Sequence, residues 1–368
     1  METIAFARGV PAPDMLPVAE LRAAANRAFD SQPAAMLSYG TGGGWPPLQR
    51  YLAAQHGVDE SQVIVTTGSL EGFGLLASVL AARAAAEHRR ARVIVERPTY
   101  DRPLLVLERH GIEVVDVPLG PDGVDVEALD RAMAEGADLA YLIPTFQNPA
   151  GATLPQAGRD AVVASARRHG VLVLEDDPYR DLHFVQPAPA TMFERRGDAP
   201  IAFSGSFSKT VAPGLRVGWM VLPHDLAAAV AKLANDTYIS SSFLSQATVL
   251  AYLEAGAFQP SVDRARGMLA ERCALTIAAL ERSLPDASWA EPGGGYFLWV
   301  RLPDGVDVAK ASHRATALGV TFVAGACFGS DCEQHARLAF SSPPMDGIGP
   351  GMERLARACA ESTVTPAR

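Results

Sequence analysis

Short apolar runs alternate with helical stretches between residues 60 and 225 of this 368-residue chain, and this alternation limits the possible fold more than any other feature. The runs are hydrophobic at nearly every position, which is typical of strands covered on both faces of a parallel sheet. Strands are predicted at residues 62–66, 92–96, 112–117, 139–143, 171–175, 201–204 and 215–222, with helices at 70–87, 100–110, 126–134 and 156–169. The sequence therefore predicts an α/β fold whose functional residues follow the carboxyl ends of the strands.

The chain changes character after residue 225, where helical segments dominate and end in a long helix predicted at 262–284. A glycine triplet, Gly293-Gly294-Gly295, then precedes an apolar run at 296–300. The remainder predicts a smaller α+β unit, with a helix at 308–318, short strands near Val320 and at 337–340, and a last helix at 351–361. Residues 362–368 are expected to be frayed.

The composition argues against several classes of protein. A net charge of −9 is unlike a nucleic-acid-binding surface, which needs clustered Lys and Arg. Residues 1–17 lack the pattern of a signal peptide and no apolar stretch reaches 18 residues, so we expect no membrane span. The four cysteines form no C-x-x-C pair and the histidines show no zinc-type spacing. We therefore expect a cytoplasmic protein with reduced thiols, no metal and no nucleic-acid partner.

One lysine lies in a loop of small residues after the strand predicted at 201–204. The segment reads Ser206-Phe207-Ser208-Lys209-Thr210, and Arg216 follows it. Lys209 could be an ordinary surface residue. A lysine in such a loop can instead be desolvated, lose its proton and form a Schiff base, while the small residues let the backbone approach a phosphate.

Two carboxylates, Asp176 and Asp177, follow the strand predicted at 171–175. Acidic side chains at the end of a buried strand are costly unless a cation pairs with them, and a protonated pyridine nitrogen is one such cation. The alternative is a helix N-cap, since Asp followed by Asp-Pro is a good helix start. Both interpretations stay open for Asp176, and the N-cap is favoured for Asp177.

A candidate anion site lies at Thr67-Gly68-Ser69, between a predicted strand and an Ala-rich helix. Backbone N–H groups at a helix N-terminus bind anions, but this loop lacks the lysine of a P-loop and the spacing of a dinucleotide fingerprint. A second glycine-rich stretch, Gly42-Gly43-Gly44, is interpreted as a flexible turn.

Nine motifs occur in one order along the chain, and the set is more specific than any member. They are Phe6-Ala7-Arg8-Gly9-Val10-Pro11, Ser38-Tyr39-Gly40, Thr67-Gly68-Ser69, Glu96-Arg97-Pro98-Thr99-Tyr100, Gln147-Asn148-Pro149-Ala150-Gly151, Glu175-Asp176-Asp177-Pro178-Tyr179, Ser206-Phe207-Ser208-Lys209-Thr210 with Arg216, Gly294-Gly295-Tyr296-Phe297-Leu298-Trp299, and Arg337-Leu338-Ala339-Phe340-Ser341. Together they resemble the fold-type I pyridoxal-phosphate enzymes of the class I and II aminotransferase group. The resemblance is to the branch with the aminoadipate and kynurenine aminotransferases and the aminotransferase half of MocR-type regulators.

The resemblance implies an aspartate aminotransferase-like architecture. A large domain at residues 36–260 would hold a mostly parallel, seven-stranded-type sheet between helices. A smaller α+β domain would occupy residues 261–368, and residues 1–35 would contribute to it.

The resemblance also implies pyridoxal 5′-phosphate as the cofactor. Lys209 would form the covalent link and shuttle the proton, and Asp176 would pair with the pyridinium nitrogen. Tyr179 and Asn148 would hydrogen-bond the phenolic oxygen of the ring, while Tyr100 would stack on its face. Lys209, Asp176 and Tyr179 are thus the implied catalytic residues.

The remaining implied roles concern the phosphate and the substrate. The phosphate would be held by Gly68, Ser69, Ser206, Ser208 and Arg216. Tyr39 would reach the phosphate and the substrate from the partner subunit of a homodimer. Arg337, with Asn148, would bind the substrate α-carboxylate, for which a guanidinium fork is well suited.

Several of these residues have simpler interpretations. Tyr100 could be a core aromatic residue and Arg337 could pair with a structural carboxylate. Tyr296 and Trp299 are interpreted as core residues rather than ligand contacts. Arg8, where many relatives carry a small residue, is interpreted as a surface arginine, with an anion contact as the alternative.

Three features depart from the family pattern: the glycine triplet at 42–44, Leu70-Glu71 where relatives often have Gln, and Tyr238 in a substrate-facing region. They leave the cofactor residues intact and leave the substrate open.

The function expected from the resemblance is ping-pong transfer of an α-amino group between an L-amino acid and a 2-oxo acid. One alternative is another pyridoxal-phosphate reaction on an amino acid, by a cyclase, lyase or oxidase. A second is a ligand-sensing regulator without its DNA-binding domain. The match begins by Phe6 and the charge is negative, so the regulator is not favoured.

Overall fold

The computed structural model describes residues 3–363. Its strands, numbered in chain order, are β1 (Ile4–Ala5), β2 (Val63–Thr66), β3 (Arg92–Arg97), β4 (Glu113–Gly120), β5 (Gly123–Val124), β6 (Leu139–Leu142), β7 (Val173–Asp176), β8 (Ile201–Ser206), β9 (Gly218–Val221), β10 (Ser288–Trp289), β11 (Phe297–Arg301), β12 (Val320–Thr321), β13 (Val323–Ala324) and β14 (His335–Ala339). Its helices are α1 (Val18–Ser31), α2 (Pro33–Met36), α3 (Pro46–His56), α4 (Ser69–Ala86), α5 (Asp101–Arg109), α6 (Val126–Ala134), α7 (Gln156–His169), α8 (His224–Tyr238), α9 (Phe243–Glu254), α10 (Phe258–Ser283), α11 (Val308–Ala317) and α12 (Met345–Ala360).

The larger sheet has the spatial order β2-β9-β8-β7-β6-β3-β4-β5. Strands β3, β4, β6, β7 and β8 are parallel, whereas β9 runs antiparallel to both β2 and β8. All seven strands predicted from the apolar runs belong to this sheet, which confirms the mostly parallel α/β architecture. The sequence did not predict the eighth strand, β5, because it pairs with β4 over only two residues and gives no apolar run.

Capping groups explain why two helices have the bounds predicted for them. The side chain of Asp125 accepts a hydrogen bond from the backbone N–H of Ala128 and begins α6. α7 ends at Gly170, whose φ of 67° is the left-handed conformation typical of a helix C-terminus. The helices of the first 60 residues, α1 to α3, were not predicted from the sequence.

The last helix and the residues after it differ from the prediction. α12 begins at Met345 rather than at residue 351, and its first turn packs through Ile348. The prediction missed this turn because Pro350 and the glycines around it are unfavourable in helices. The expected fraying is wrong for Ser362, which is buried and whose carbonyl oxygen accepts a hydrogen bond from the N–H of Asp307 at 3.1 Å. Residues 364–368 lie outside the described residues.

The hydrophobic core is divided between the two sheets. Two clusters cover the faces of the large sheet, and a third packs on the small antiparallel sheet β10-β11-β14-β13. The N-terminal residues Ile4 and Phe6 belong to the third cluster, and β1 pairs with β12. We propose that residues 36–260 and 261–368 are the two domains. Of residues 1–35, which were expected to contribute to the second domain, Ile4 and Phe6 do so, whereas Ala24 and Ala28 of α1 pack in the core of the first.

Helix α4 is, among residues 3–363, the one helix long and apolar enough by composition to cross a membrane. In the fold it connects β2 to β3, packs against α5 and α8, and buries Phe73, Leu76 and Leu80. Its hydrophobicity therefore reflects its position in the core beside the large sheet.

Candidate active site

The candidate site lies at the carboxyl ends of the parallel strands. β7 ends in Asp176, and β8 ends in Ser206 and leads directly to Lys209. β6 supplies Tyr141, whose hydroxyl reaches Asp176, and Gly68 follows β2. Neighbouring parallel strands end at the same edge of a sheet, and this arrangement brings the side chains together.

Lys209 carries the enclosed amine of this site. Its Nζ donates a hydrogen bond of 2.6 Å to the carbonyl oxygen of Gly9. Burial, together with the positive charges of Arg337 and Arg216, lowers the pKa of Lys209 to about 8. More of the amine is therefore neutral at pH 7 than for an ordinary lysine. A neutral amine is the form that can act as a nucleophile or accept a proton.

Asp176 is buried, and its two carboxylate oxygens differ. Oδ2 accepts a hydrogen bond of 2.7 Å from the hydroxyl of Tyr141. Oδ1 is buried without a hydrogen-bond partner among the described residues. Burial raises the pKa of Asp176 to about 6, against the lowering effects of Tyr141, Ser204 and Lys209. The carboxylate is thus ready to accept one further hydrogen bond from a cationic donor.

The N-cap interpretation of the two acidic residues is wrong. The short 3-10 helix that follows, Arg180–Leu182, is preceded by Tyr179 and receives no side-chain cap. Asp177 instead accepts a 3.4 Å hydrogen bond from Arg180. Both carboxylates are buried, so neither acts as an exposed cap.

A group of five residues that could hold a phosphate lies at the start of α4 and after β8. We call it the phosphate cup, and its members are Gly68, Ser69, Ser206, Ser208 and Arg216. Arg216 donates to Ser208 Oγ at 3.3 Å and to the carbonyl oxygen of Thr67 at 2.8 Å. Gly68 has a φ of +89°, and a Cβ built there would lie 2.3 Å from Arg216 Nη2. The cup therefore needs glycine at this position, both for its backbone conformation and for the guanidinium beside it.

Arg337 lies on β14, close enough to Lys209 for its positive charge to lower the pKa of that amine. It donates through Nη1 to Asn148 Oδ1 at 2.9 Å and through Nη2 to the carbonyl oxygen of Ala7 at 2.8 Å. Its guanidinium also stacks 4.4 Å from the ring centroid of Phe297 and 5.0 Å from that of Phe328. Within residues 3–363 no carboxylate forms a salt bridge with it and its buried Nε has no partner, so the structural ion pair is not observed. Arg337 retains donors for an incoming anion.

Two tyrosines complete the polar lining. Tyr179 is buried, which raises the pKa of its phenol well above the usual value, so the hydroxyl stays protonated and can donate. Tyr100 is half-buried and its pKa is also raised, mainly by burial. Asn148 is buried beside Arg337.

A model of the family described as aminotransferase class I and II matches residues 3–355. The chain belongs to this family. The 2-aminoadipate transaminase of Thermus thermophilus is 31% identical, over 96% of this chain and 89% of that protein. The aromatic-amino-acid aminotransferase 1 of Thermococcus litoralis is 30% identical, over 98% of this chain and 88% of that protein. The crystal structure of Pyrococcus horikoshii kynurenine aminotransferase, described as a complex with PMP, superposes with a TM-score of 0.91 at 28% identity and covers 99% of this chain and 92% of that one.

This aminotransferase uses pyridoxal phosphate, and the geometry of its site fits that group. The buried Oδ1 of Asp176 has no partner among the described residues and could accept a hydrogen bond from a pyridinium N–H. The phosphate cup provides backbone N–H groups at the start of α4, two serines and a guanidinium. Within the described residues no His, Cys, Asp and Glu side chains are grouped to hold a metal ion.

Two sequence candidates are exposed in this chain. Tyr39 is 88% exposed. Arg8 is exposed at the surface, and its carbonyl oxygen accepts a hydrogen bond from the N–H of Val10 at 3.0 Å. The carbonyl groups of Ala7 and Gly9 on either side of it accept from Arg337 and Lys209.

The two aromatic residues interpreted as core differ in the structure. Tyr296 is buried as expected, and its hydroxyl also donates to the carbonyl oxygen of Lys209 at 2.8 Å. Trp299 is only half-buried, stacks on His335 and lines a cavity of about 720 Å³ that does not include Lys209. The core interpretation of Trp299 is therefore wrong.

The glycine triplet is a packed turn rather than a flexible one. A Cβ on Gly42 would lie 2.1 Å from the carbonyl oxygen of Ala231, and one on Gly44 would lie 2.6 Å from the side chain of Val65. The N–H of Val65 donates to the carbonyl oxygen of Gly43 at 2.9 Å. The glycines allow this segment to lie directly against β2 and α8.

The sequence did not identify Tyr141 or Gly9 as site residues, and it singled out Glu71 and Tyr238 without predicting that their side chains meet. Tyr141 had a signal, because a tyrosine within an otherwise apolar buried strand needs a hydrogen-bond partner for its hydroxyl. Gly9 contributes only a backbone carbonyl, which no side-chain pattern can indicate. Tyr238 donates to Glu71 Oε2 at 3.3 Å, a contact that depends on the fold.

Proposed function

We propose that this site transfers an α-amino group from an L-amino acid to a 2-oxo acid in two successive half-reactions, as a ping-pong enzyme of amino acid metabolism. The observation that carries the proposal is the placement of Lys209. Its amine follows the end of β8, donates to the carbonyl oxygen of Gly9 at 2.6 Å, and has its pKa lowered by burial and by the positive charges of Arg337 and Arg216. The other two lysines of the chain, Lys232 and Lys310, are exposed on helices and could not serve.

The cofactor would be held at three positions. The phosphate cup would bind its phosphate, Asp176 its ring nitrogen, and Lys209 its aldehyde carbon. Tyr179 and Asn148 would hydrogen-bond the phenolic oxygen, and Tyr100 would cover one face of the ring. When bound, the cofactor supplies an electron sink for the carbanion left after the substrate Cα–H bond breaks.

Arg337 would bind the substrate α-carboxylate. Its guanidinium is held by Asn148 and Ala7 and by the rings of Phe297 and Phe328, so little reorganisation is needed when an anion arrives. The bidentate geometry of arginine fixes the direction of the carboxylate and thereby the orientation of Cα.

Lys209 would move the proton. When it is not bonded to the cofactor, its Nζ would act as a general base, and a pKa of about 8 suits a group that must accept and return a proton near neutral pH. The hydrogen bond to Gly9 shows where this amine can be held, on the side of the N-terminal segment.

We also propose that the enzyme is a homodimer with shared active sites. The support is the exposure of Tyr39 and of neighbouring apolar side chains such as Leu37 and Ile239, which leaves an apolar surface beside the site. The four unpaired cysteines are consistent with a cytoplasmic location.

A single-turnover experiment tests the reaction. The loaded enzyme is mixed with an amino acid in the absence of any 2-oxo acid. We expect one equivalent of the matching oxo acid per site, with the cofactor recovered as its amine. Release of ammonia, peroxide or a cyclised product, with the cofactor still an aldehyde, would instead indicate a lyase, oxidase or cyclase. A panel of amino acids in the same assay identifies the donor.

A further inference from the structure

Glu71 and Tyr238 meet beside the phosphate cup, and neither has a part in the chemistry proposed for the site. The N–H of Thr67 donates to Glu71 Oε2 at 2.5 Å, and the hydroxyl of Tyr238 donates to the same oxygen at 3.3 Å. Glu71 lies in the first turn of α4, and Tyr238 is the last residue of α8. The carboxylate therefore joins the loop before α4 to the end of α8.

A carboxylate at this place has a cost. The positive end of the helix dipole at the first turn of α4 favours an acidic side chain, but the phosphate would bind at the same end and the two anions would repel each other. An acidic residue at this position is expected only where its other contacts offset this repulsion.

Such contacts are visible in the way Thr67 is held. Glu71 accepts from its N–H, and Arg216 donates to its carbonyl oxygen at 2.8 Å. The two contacts fix one peptide segment from both sides. Because the guanidinium of Arg216 is held partly by this carbonyl, a loosened Thr67 would also loosen the cation of the cup.

Tyr238 is held in turn by the segment that follows it. Ile239 has φ 73° and ψ −65°, a conformation that a β-branched residue rarely adopts, and the turn is closed by a hydrogen bond from Ser240 N–H to the Tyr238 carbonyl oxygen at 2.9 Å. Such a conformation persists only where the surroundings determine it. Ser240 Oγ accepts from the N–H of Gly40 at 3.1 Å, next to Tyr39.

We propose that Glu71 and Tyr238 are positioning residues of the phosphate cup. Glu71 fixes Thr67 and, through it, Arg216, while Tyr238 fixes Glu71 relative to the segment that carries Tyr39. The inference rests on the proposed role of the cup in binding the cofactor phosphate. It assigns the acidic residue to cofactor retention and to no chemical step.

The test is the rate at which the purified, loaded enzyme releases pyridoxal phosphate, measured by absorbance after transfer into a trapping buffer. Glu71→Leu should release it about tenfold faster, because Thr67 N–H and the Tyr238 hydroxyl both lose their acceptor. Tyr238→Phe should give an increase of about threefold to tenfold. Glu71→Gln should release it no faster than the unchanged enzyme, because the amide oxygen still accepts both hydrogen bonds and the repulsive charge is gone.

Two control variants distinguish an error in the positioning role from an error in the assignment of the phosphate cup. Tyr51→Phe changes a half-buried tyrosine whose hydroxyl makes no hydrogen bond among the described residues, and it should leave the release rate unchanged. Arg216→Gln should release the cofactor fastest, and normal retention in that variant would contradict the assignment of the cup itself. If Arg216→Gln loses the cofactor while Glu71→Leu and Tyr238→Phe retain it, the positioning role is wrong. Equal release by Glu71→Gln and Glu71→Leu would also overturn it, because charge and not hydrogen bonding would then control retention.

Discussion

The hydroxyl of Tyr141 donates a 2.7 Å hydrogen bond to one carboxylate oxygen of Asp176 and leaves the other oxygen buried without a partner. This contact fixes the orientation of a carboxylate at the end of β7. It also favours the ionised form, against the burial that raises the pKa of Asp176 to about 6. The geometry therefore prepares one acceptor for the cofactor ring.

Replacing Asp176 with Asn should impair catalysis far more than cofactor binding. The amide cannot keep the ring nitrogen protonated, whereas the phosphate cup and Lys209 remain. We expect kcat/KM to fall by on the order of 10²- to 10³-fold while the cofactor stays bound. The matched control is Asp177→Asn, which should lose much less activity. Equal activity of Asp176→Asn and the unchanged enzyme would show that this carboxylate does not serve the ring.

The attachment of pyridoxal phosphate to the cofactor-free protein should depend on pH through Lys209. The neutral amine reacts, so the rate should rise with pH through about 8 and level off above it, rather than rising towards the value of an ordinary lysine. Arg337→Gln removes a nearby positive charge and should move the midpoint to higher pH. Stopped-flow absorbance measures both curves, and a midpoint near 10 in the unchanged protein would contradict the desolvated environment.

Arg337→Lys should not behave as a conservative change. A lysine provides one point charge in place of two parallel donors, so we expect kcat/KM to fall by on the order of 100-fold for every α-amino acid tested. The loss should be the same for acidic, aromatic and aliphatic donors, because the contact is with the α-carboxylate. A loss confined to one class of side chain would place Arg337 in side-chain recognition instead.

Mixing two inactive variants tests whether Tyr39 acts across a subunit interface. Consider a mixed dimer of one Tyr39→Ala protomer and one Lys209→Ala protomer. If Tyr39 acts in the active site of the partner subunit, this dimer contains one intact site. If Tyr39 acts in the active site of its own subunit, both sites are defective. Random mixing of equal amounts should thus restore about a quarter of the normal site number. Absence of any recovery, with mixed dimers demonstrated by mass spectrometry, would contradict shared sites.

The strands of the large sheet were predicted from the sequence more accurately than the helices of the first 60 residues. Continuous apolar runs mark buried parallel strands, and α6 and α7 carry recognisable caps, so their bounds agree with the structure. Helices α1 to α3 are short or have proline and glycine residues nearby, and α12 contains Pro350. The hydrophobic pattern of these segments therefore did not indicate the helices or their bounds.

The residues of the candidate site were also predicted only in part. Asp176 was a candidate because a carboxylate after a buried strand needs a cationic partner, and Lys209 because it lies in a loop of small residues. Arg337 was a candidate through the family resemblance. The carbonyl oxygen of Gly9 and the contact between Glu71 and Tyr238 could not be predicted, because they depend on backbone positions and on residues far apart in sequence.

The central claim is that Lys209 carries the cofactor. The most direct measurement is borohydride reduction of the loaded enzyme, followed by proteolysis and peptide mass mapping. We expect a single pyridoxyl group on the peptide containing Lys209, at about one equivalent per chain. A label on Lys232 or Lys310 in its place would contradict the assignment of the active site.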